Sequence, residues 1–276
     1  MQDGVLRLLA DAGVDVTLGG RAYRPRLAMV GFDAKLLKPQ NAVEMLKVGS
    51  RDLGFAGADW AQELGADLVE VLDTGLNPVR VVVAAPAPML ENGTLSAPDG
   101  RRLRIASEYE RLTRNWIAEQ GLQASFVRAY GATEVFPPED ADAIVDNTAT
   151  GATLEANALT ICGEVMRSST RLFASRAAMD DPAKRERIEH LALLLRSVLE
   201  ARQRVLLEVN VDADRLDGLI AILPCMREPT VASLAGGAAF AVKSAVPKAD
   251  VAELVPTLKA AGGTDILVSP LSQIVP

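Results

Sequence analysis

The residues best equipped for chemistry lie at 142–154, DAIVDNTATGATL. An apolar run at 143–145 delivers Asp146, and Thr148, Thr150, Gly151, Ala152 and Thr153 follow where a helix is expected to begin. Backbone N–H groups at a helix start lack internal partners and carry partial positive charge, so such a loop can cradle phosphate. Gly151 lets the backbone approach an anion closely, and the threonine hydroxyls add donors. Asp142 and Asp146 suit the hydroxyls of a phosphorylated sugar, or a Mg²⁺ ion carried with it. The same pattern also reads as a plain strand–turn–helix in which Thr153 is only an N-cap. Pattern alone leaves both readings open.

Composition removes several other chemistries. Among 276 residues, 29 Lys and Arg stand against 36 Asp and Glu, a net charge of −7. An acidic chain without a basic run does not suit nucleic acid. With His190 as the single histidine, a histidine-built metal site or a Ser–His–Asp triad is nearly excluded, and His190 itself reads as a surface residue. Cys162 and Cys225 are too far apart in sequence to form a metal-ligand motif, and both read as reduced, structural thiols. No apolar run reaches the roughly 18–20 residues that span a bilayer. The first residues show no secretory pattern, so a cytoplasmic protein is expected.

The loop must be held by layered α/β elements. The pattern predicts a helix over 3–12 stopped by Gly13, a buried strand at 27–32, and a helix from Pro39 to 48 closed by Gly49. A strand at 52–56, a turn at 57–59 and a helix to 64 follow, then strands at 67–72 and 79–85. Pro86, Pro88 and Pro98, with Asn92-Gly93 and Asp99-Gly100, mark a crossing into a second lobe. There, a strand at 102–106 precedes a helix to 120 that Ser107 and Glu110 would open as a capping box. Strands at 125–129 and 141–145 flank a short helix at 133–136, and a helix is expected at 153–158. Residues 160–175 read as extended but broken near 167–169. A long amphipathic helix at 182–202 carries Ile188, Leu191, Leu195 and Val198 on one face. Beyond it the order is βαββαβ, a ferredoxin-like unit, with Pro256 implying a kink or an offset start in its second helix. The expected fold is α/β. Residues 1–87 with 176–202 form one lobe and 88–175 another, in a two-lobed, periplasmic-binding-protein-like plan, and 203–276 form the C-terminal domain.

Several blocks together resemble one family. RDLGFAGADW (51–60), LRIASEYERLTR (103–114), DAIVDNTATGATLEAN (142–157) and RSSTRLFASR (167–176) occur in this order, and the tail carries EPTVASL and GGTDILVS. This combination resembles ATP phosphoribosyltransferase in its long, histidine-regulated form. The resemblance implies condensation of ATP with phosphoribosyl pyrophosphate to N1-(5-phosphoribosyl)-ATP and pyrophosphate, with Mg²⁺ as cofactor. It implies that Asp142, Asp146, Thr148, Thr150, Gly151, Ala152 and Thr153 hold the phosphoribosyl group. Asp146, Glu108 and Arg51 would be catalytic, and Asp52, Gly57, Asp59, Tyr109 and Arg114 would line the nucleotide and pyrophosphate side. The tail would be a regulatory domain binding histidine as inhibitor through Asn210, Thr230, Ala245 and Asp265, in a homo-oligomer of the dimer or hexamer type.

Most of these residues also have plainer readings. Glu108 and Tyr109 sit where a helix dipole favours an acid anyway, Arg51 reads equally as a surface charge, Gly57 as a turn, and Asp265 as the solvent-facing start of a strand. The family also carries a strand and a Lys-Gly-Arg loop ahead of the counterpart of Met1. The expectation is therefore an upstream start, or a chain that folds poorly or is inactive as given. The alternative function is a truncated, inactive histidine-sensing paralogue.

Overall fold

The computed structural model describes residues 1–19, 23–97 and 100–275. The turn signals at Pro98 and Asp99 lie outside the described residues. The helices are α1 (Gln2–Asp11), α2 (Pro39–Lys47), α3 (Ala58–Glu63), α4 (Glu110–Glu119), α5 (Ala152–Ala156), α6 (Arg176–Asp180), α7 (Pro182–Gln203), α8 (Leu216–Ile220) and α9 (Val251–Ala260). The strands are β1 (Val16–Thr17), β2 (Arg26–Leu27), β3 (Leu53–Gly57), β4 (Leu68–Pro86), β5 (Leu90–Glu91), β6 (Thr94–Leu95) and β7 (Leu103–Ser107). They continue with β8 (Ala124–Arg128), β9 (Ala143–Thr148), β10 (Leu159–Ser175), β11 (Arg204–Asp212), β12 (Thr230–Ser233), β13 (Ala239–Pro247) and β14 (Thr264–Pro270).

Two compact units result: Met1–Leu6 with Thr17–His190, and Arg7–Val16 with Leu191–Pro276. The first is built on a six-stranded sheet of order β3-β10-β4-β9-β7-β8. β4 and β10 are its long antiparallel spine, paired from Leu159↔Pro86 to Ser175↔Leu68. β3 adds to the Ser175 end of β10, whereas β9 adds to the Pro86 end of β4. Two long strands thus carry one set of elements at each end, as the expected two-lobed plan requires. Val81, Val82, Val83, Ala84 and Ala85 are all fully buried, which explains a continuous apolar run rather than an alternating one. Val81, Val83 and Ala85 face Tyr109, Leu112 and Trp116, and Val82 and Ala84 pack with Leu154 and Leu159.

In the second unit β11–β14 form a four-stranded antiparallel sheet of order β12-β13-β11-β14, as the βαββαβ order requires. Its inner face, with Val205, Leu207, Val209 and Val211, packs on Leu219, Leu254 and Leu258 of α8 and α9. α9 runs through Pro256 after a 3-10 turn at Lys248–Asp250. Ile188, Leu191, Leu195 and Val198 of α7 are buried as the periodicity requires.

Four local expectations are corrected. Residues 27–32 are not a buried strand: only Arg26–Leu27 pairs, with Val16–Thr17, and Val30 is 95% exposed. An apolar run without a partner edge cannot satisfy its backbone. The strands expected at 67–72 and 79–85 are one strand, turning through positive φ at Gly75 and Asn77. The expected break near 167–169 is a register shift inside β10, which bends the strand without ending it. The capping box does not form. Ser107 ends β7 and donates to the Val145 carbonyl (2.6 Å), and α4 starts with no side-chain cap of its own.

Candidate active site

The parallel strands create the site. β7 lies between β9 and β8 and runs parallel to both. The chain leaves β7 through α4 to β8 on one side, then crosses to β9 on the other. This reversal opens a crevice at the carboxyl ends of β7 and β9, where open α/β sheets bind ligands. Glu108 and Tyr109 emerge there from β7, and Asp146 and residues 148–153 from β9.

Asp146 is half-buried, and its carboxyl is raised to about 6. Burial is the main cause, opposed by bonds from the Asn147 N–H (2.7 Å) and Thr133, and reinforced by the charges of Glu134 and Glu108. In the loop beyond, the Thr148 hydroxyl accepts from Gly151 N–H (2.9 Å) and the Thr150 hydroxyl from Ala152 N–H (3.3 Å). Gly151 has φ +91°, so the tight turn into α5 needs glycine. Ala152 and Thr153 are exposed.

Behind the crevice runs a buried polar chain. Asp59, 5% exposed, accepts from the Tyr109 hydroxyl (2.7 Å) and the Ser168 hydroxyl (2.6 Å). Tyr109 in turn accepts from the Asn147 amide (3.0 Å), and its ring stacks on Trp60 with centroids 4.7 Å apart. Burial, then the Asp59 charge, pushes the Tyr109 phenol far above its ordinary range, so it is a fixed donor and not an acid.

The ATP phosphoribosyltransferase family model matches residues 38–197, and the model described as HisG, C-terminal domain matches 201–273. The ATP phosphoribosyltransferase of Pelotomaculum thermopropionicum is 37% identical over 281 residues, covering 100% of this chain and 96% of that one. That of Desulforudis audaxviator is 36% identical, with the same coverage. A solved ATP phosphoribosyl transferase (HisG:HisZ) complex from Thermotoga maritima is 25% identical with a TM-score of 0.61, covering 72% of this chain and 93% of that one. The chain belongs to the ATP phosphoribosyltransferase family.

With both family domains present it has the long form. The structure gathers part of what the family resemblance implied. Asp146, Glu108, Thr148, Thr150, Gly151, Ala152 and Thr153 share the crevice. Asp142 does not. It precedes β9 at the opposite end of the strand, about 20 Å from the loop at ~3.3 Å per residue. Its carboxylate is only 3% exposed and is gripped by Arg101 (2.6 and 2.8 Å) and the Arg104 N–H (2.7 Å). Arg101 holds it below the usual carboxylate range. Asp142→Ala is expected to cost about 1–3 kcal/mol of stability by leaving a buried N–H unpaired, with both substrate KM values unchanged; thermal melts and initial rates check this.

Arg51 and Asp52 are likewise displaced, because they precede β3 while Gly57 ends it. Asp52 pairs instead with Lys184 (2.8 Å). Gly57, Asp59 and Tyr109 are near the crevice but turned inward. A Cβ on Gly57 would lie 2.1 Å from Asp59 Oδ1, so Gly57 makes room for the carboxylate to fold back. Arg114 is exposed on α4, paired with Glu110 (2.9 Å) and set over Phe126. Arg128 was missed by the sequence reading. It shares Glu110 and the Phe126 ring and donates to the Glu108 carbonyl (2.6 Å). Asn147, Ser168, Thr133, Glu134 and Glu63 were also missed. The four-residue spacing of Asp59 and Glu63 was the one local signal available.

In the C-terminal domain, Asn210, Thr230 and Ala245 lie on the outer face of the sheet. Asn210 donates to Asp265 (3.1 Å), which holds a positive φ. Ala245 is four residues along β13 from the partner of Asn210, roughly 13 Å away.

Among the described residues no three acidic, cysteine or histidine side chains converge as a protein-built metal cage. Mg²⁺ needs none, since it keeps several waters and binds through substrate phosphates with one or two carboxylates. Asp146 and Glu108, which repel one another across the crevice, fit that donor set.

Proposed function

We propose that this chain joins ATP N1 to C1′ of phosphoribosyl pyrophosphate, giving N1-(5-phosphoribosyl)-ATP and pyrophosphate, the first step of histidine biosynthesis. The carrying observation is the strand-exit crevice that sets Asp146 and the glycine-bent 148–153 loop beside Glu108. As the N1–C1′ bond forms, the C1′–O bond breaks and its electron pair leaves with pyrophosphate. Positive charge grows on the ribose meanwhile, and fixed carboxylates facing that charge stabilise it. Asp146 and Glu108 take this role. Asp146 also accepts hydrogen bonds from the ribose hydroxyls, and the loop holds the 5-phosphate. When bound, Mg²⁺ neutralises the leaving pyrophosphate. Arg114 and Arg128 lie on the nucleotide side.

Histidine inhibition is proposed for the outer face of the C-terminal sheet, near the Asn210–Asp265 pair. The exposed Leu267 (59%), which pairs with Glu208 on that outer face, suits cover by another copy, in a homo-oligomer. No helix among the described residues is long and apolar enough to cross a membrane, which fits a cytoplasmic biosynthetic enzyme. The test is purified protein with ATP, phosphoribosyl pyrophosphate and Mg²⁺, with and without histidine. Formation of phosphoribosyl-ATP, suppressed by histidine, is expected. Histidine binding without product would support the sensor instead.

A further inference from the structure

Asp59 and Glu63 are four residues apart, so both project from one face of α3. Asp59 holds the Tyr109 hydroxyl, at the residue that precedes α4. Glu63, 8% exposed, accepts from the N–H groups of Arg111 (3.0 Å) and Leu112 (3.0 Å). These are first-turn N–H groups that no carbonyl of their own helix can reach. A carboxylate there is favoured twice, by hydrogen bonding and by the helix dipole. α4 lacks a side-chain cap of its own, so its start is fixed from outside by α3.

What α4 fixes in turn is the crevice. Glu108 and Tyr109 occupy the two residues between β7 and α4. Tyr109 accepts from the Asn147 amide, and the Asn147 N–H donates to Asp146 (2.7 Å). We propose that Glu63 is a positioning residue of the phosphoribosyl-transfer site. It caps α4 from α3 and so sets Glu108 and Tyr109 and, through Asn147, Asp146. Both its oxygens are committed to backbone donors, so it touches no reactant. The proposal rests on the reaction described above.

The test compares wild type, Glu63→Gln, Tyr109→Phe and the double variant by steady-state kinetics, and the free proteins by amide hydrogen exchange. Glutamine keeps the shape but replaces one acceptor with a donor, so at most one of the two N–H groups stays capped. For Glu63→Gln we expect kcat about tenfold lower with both KM values within about threefold. Exchange should quicken at 109–113 and also at 146–151, while 103–106 stays as in wild type. Because both substitutions act through the start of α4, the double variant should fall no more than about twofold below the worse single one.

Unchanged kcat, multiplicative losses, or faster exchange confined to 109–113 would each overturn the proposal. A loss of rate matched by an equal loss of folded protein would make Glu63 merely structural and overturn it too. If Glu63→Gln does not fold, Glu63→Asp carries the same comparison. If wild type makes no phosphoribosyl-ATP, the reaction is wrong, and the exchange at 146–151 alone decides the linkage.

Discussion

In metal-free buffer, Asp146→Asn is expected to be more stable than the wild type above pH 7 by about 1–3 kcal/mol, and to turn over on the order of 10²–10³ times more slowly. Burial raises the folded carboxyl to about 6 from its ordinary 3.8. Between these values the folded protein holds a proton that the unfolded chain has released, so stability falls as pH rises. Below pH ~3.8 both states are protonated and the site contributes no difference. Above ~6 the fold must carry a half-buried charge, which asparagine avoids while still accepting from the Asn147 N–H. Denaturant melts from pH 4 to 8 should therefore show the gap between the two proteins opening with pH. A variant less stable than wild type at pH 8 would contradict the assigned environment. The same carboxyl predicts that wild-type kcat/KM falls with an acid limb near pH 6, as the charged form that faces the ribose is lost.

The second large effect is at Gly151. Its φ of +91° and ψ of −8° belong to the left-handed region, whereas a Cβ would meet only Ile161 Cδ1 at 3.8 Å. Gly151→Ala therefore suffers from backbone conformation and not from crowding, at about 1–2 kcal/mol. Relief comes by turning the loop, which breaks the Gly151 N–H bond to Thr148 and moves the donors proposed to hold the 5-phosphate. KM for phosphoribosyl pyrophosphate is expected to rise at least about tenfold, with KM for ATP changed much less. Unchanged KM values for both substrates would remove the phosphate from this loop.

These two residues were legible because their signals are local. A strand exit, an acid, threonines and a glycine before a helix form one continuous stretch, and the proposed anion site is built on that backbone. The βαββαβ order of the tail was legible for the same reason, since strand and helix periods are read within short windows. Asp142 misled for an equally plain reason. It stands four residues before Asp146, but an extended strand carries those four residues about 13 Å, to the end of the sheet away from the crevice. Arg51 and Gly57 were separated by β3 in the same way.

The sequence by itself determined the fold class, the strand–loop–helix at 142–154 and, through its ordered blocks, the family. Each rests on neighbours along the chain. Only the tertiary structure decided which polar groups face a ligand and which face each other. Asp59 meets Ser168 across 109 residues, Tyr109 meets Asp59 across 50, and Glu63 caps a helix 48 residues away. A buried carboxylate must find donors wherever the packed layers bring them, and no spacing rule within the chain records which layer that is.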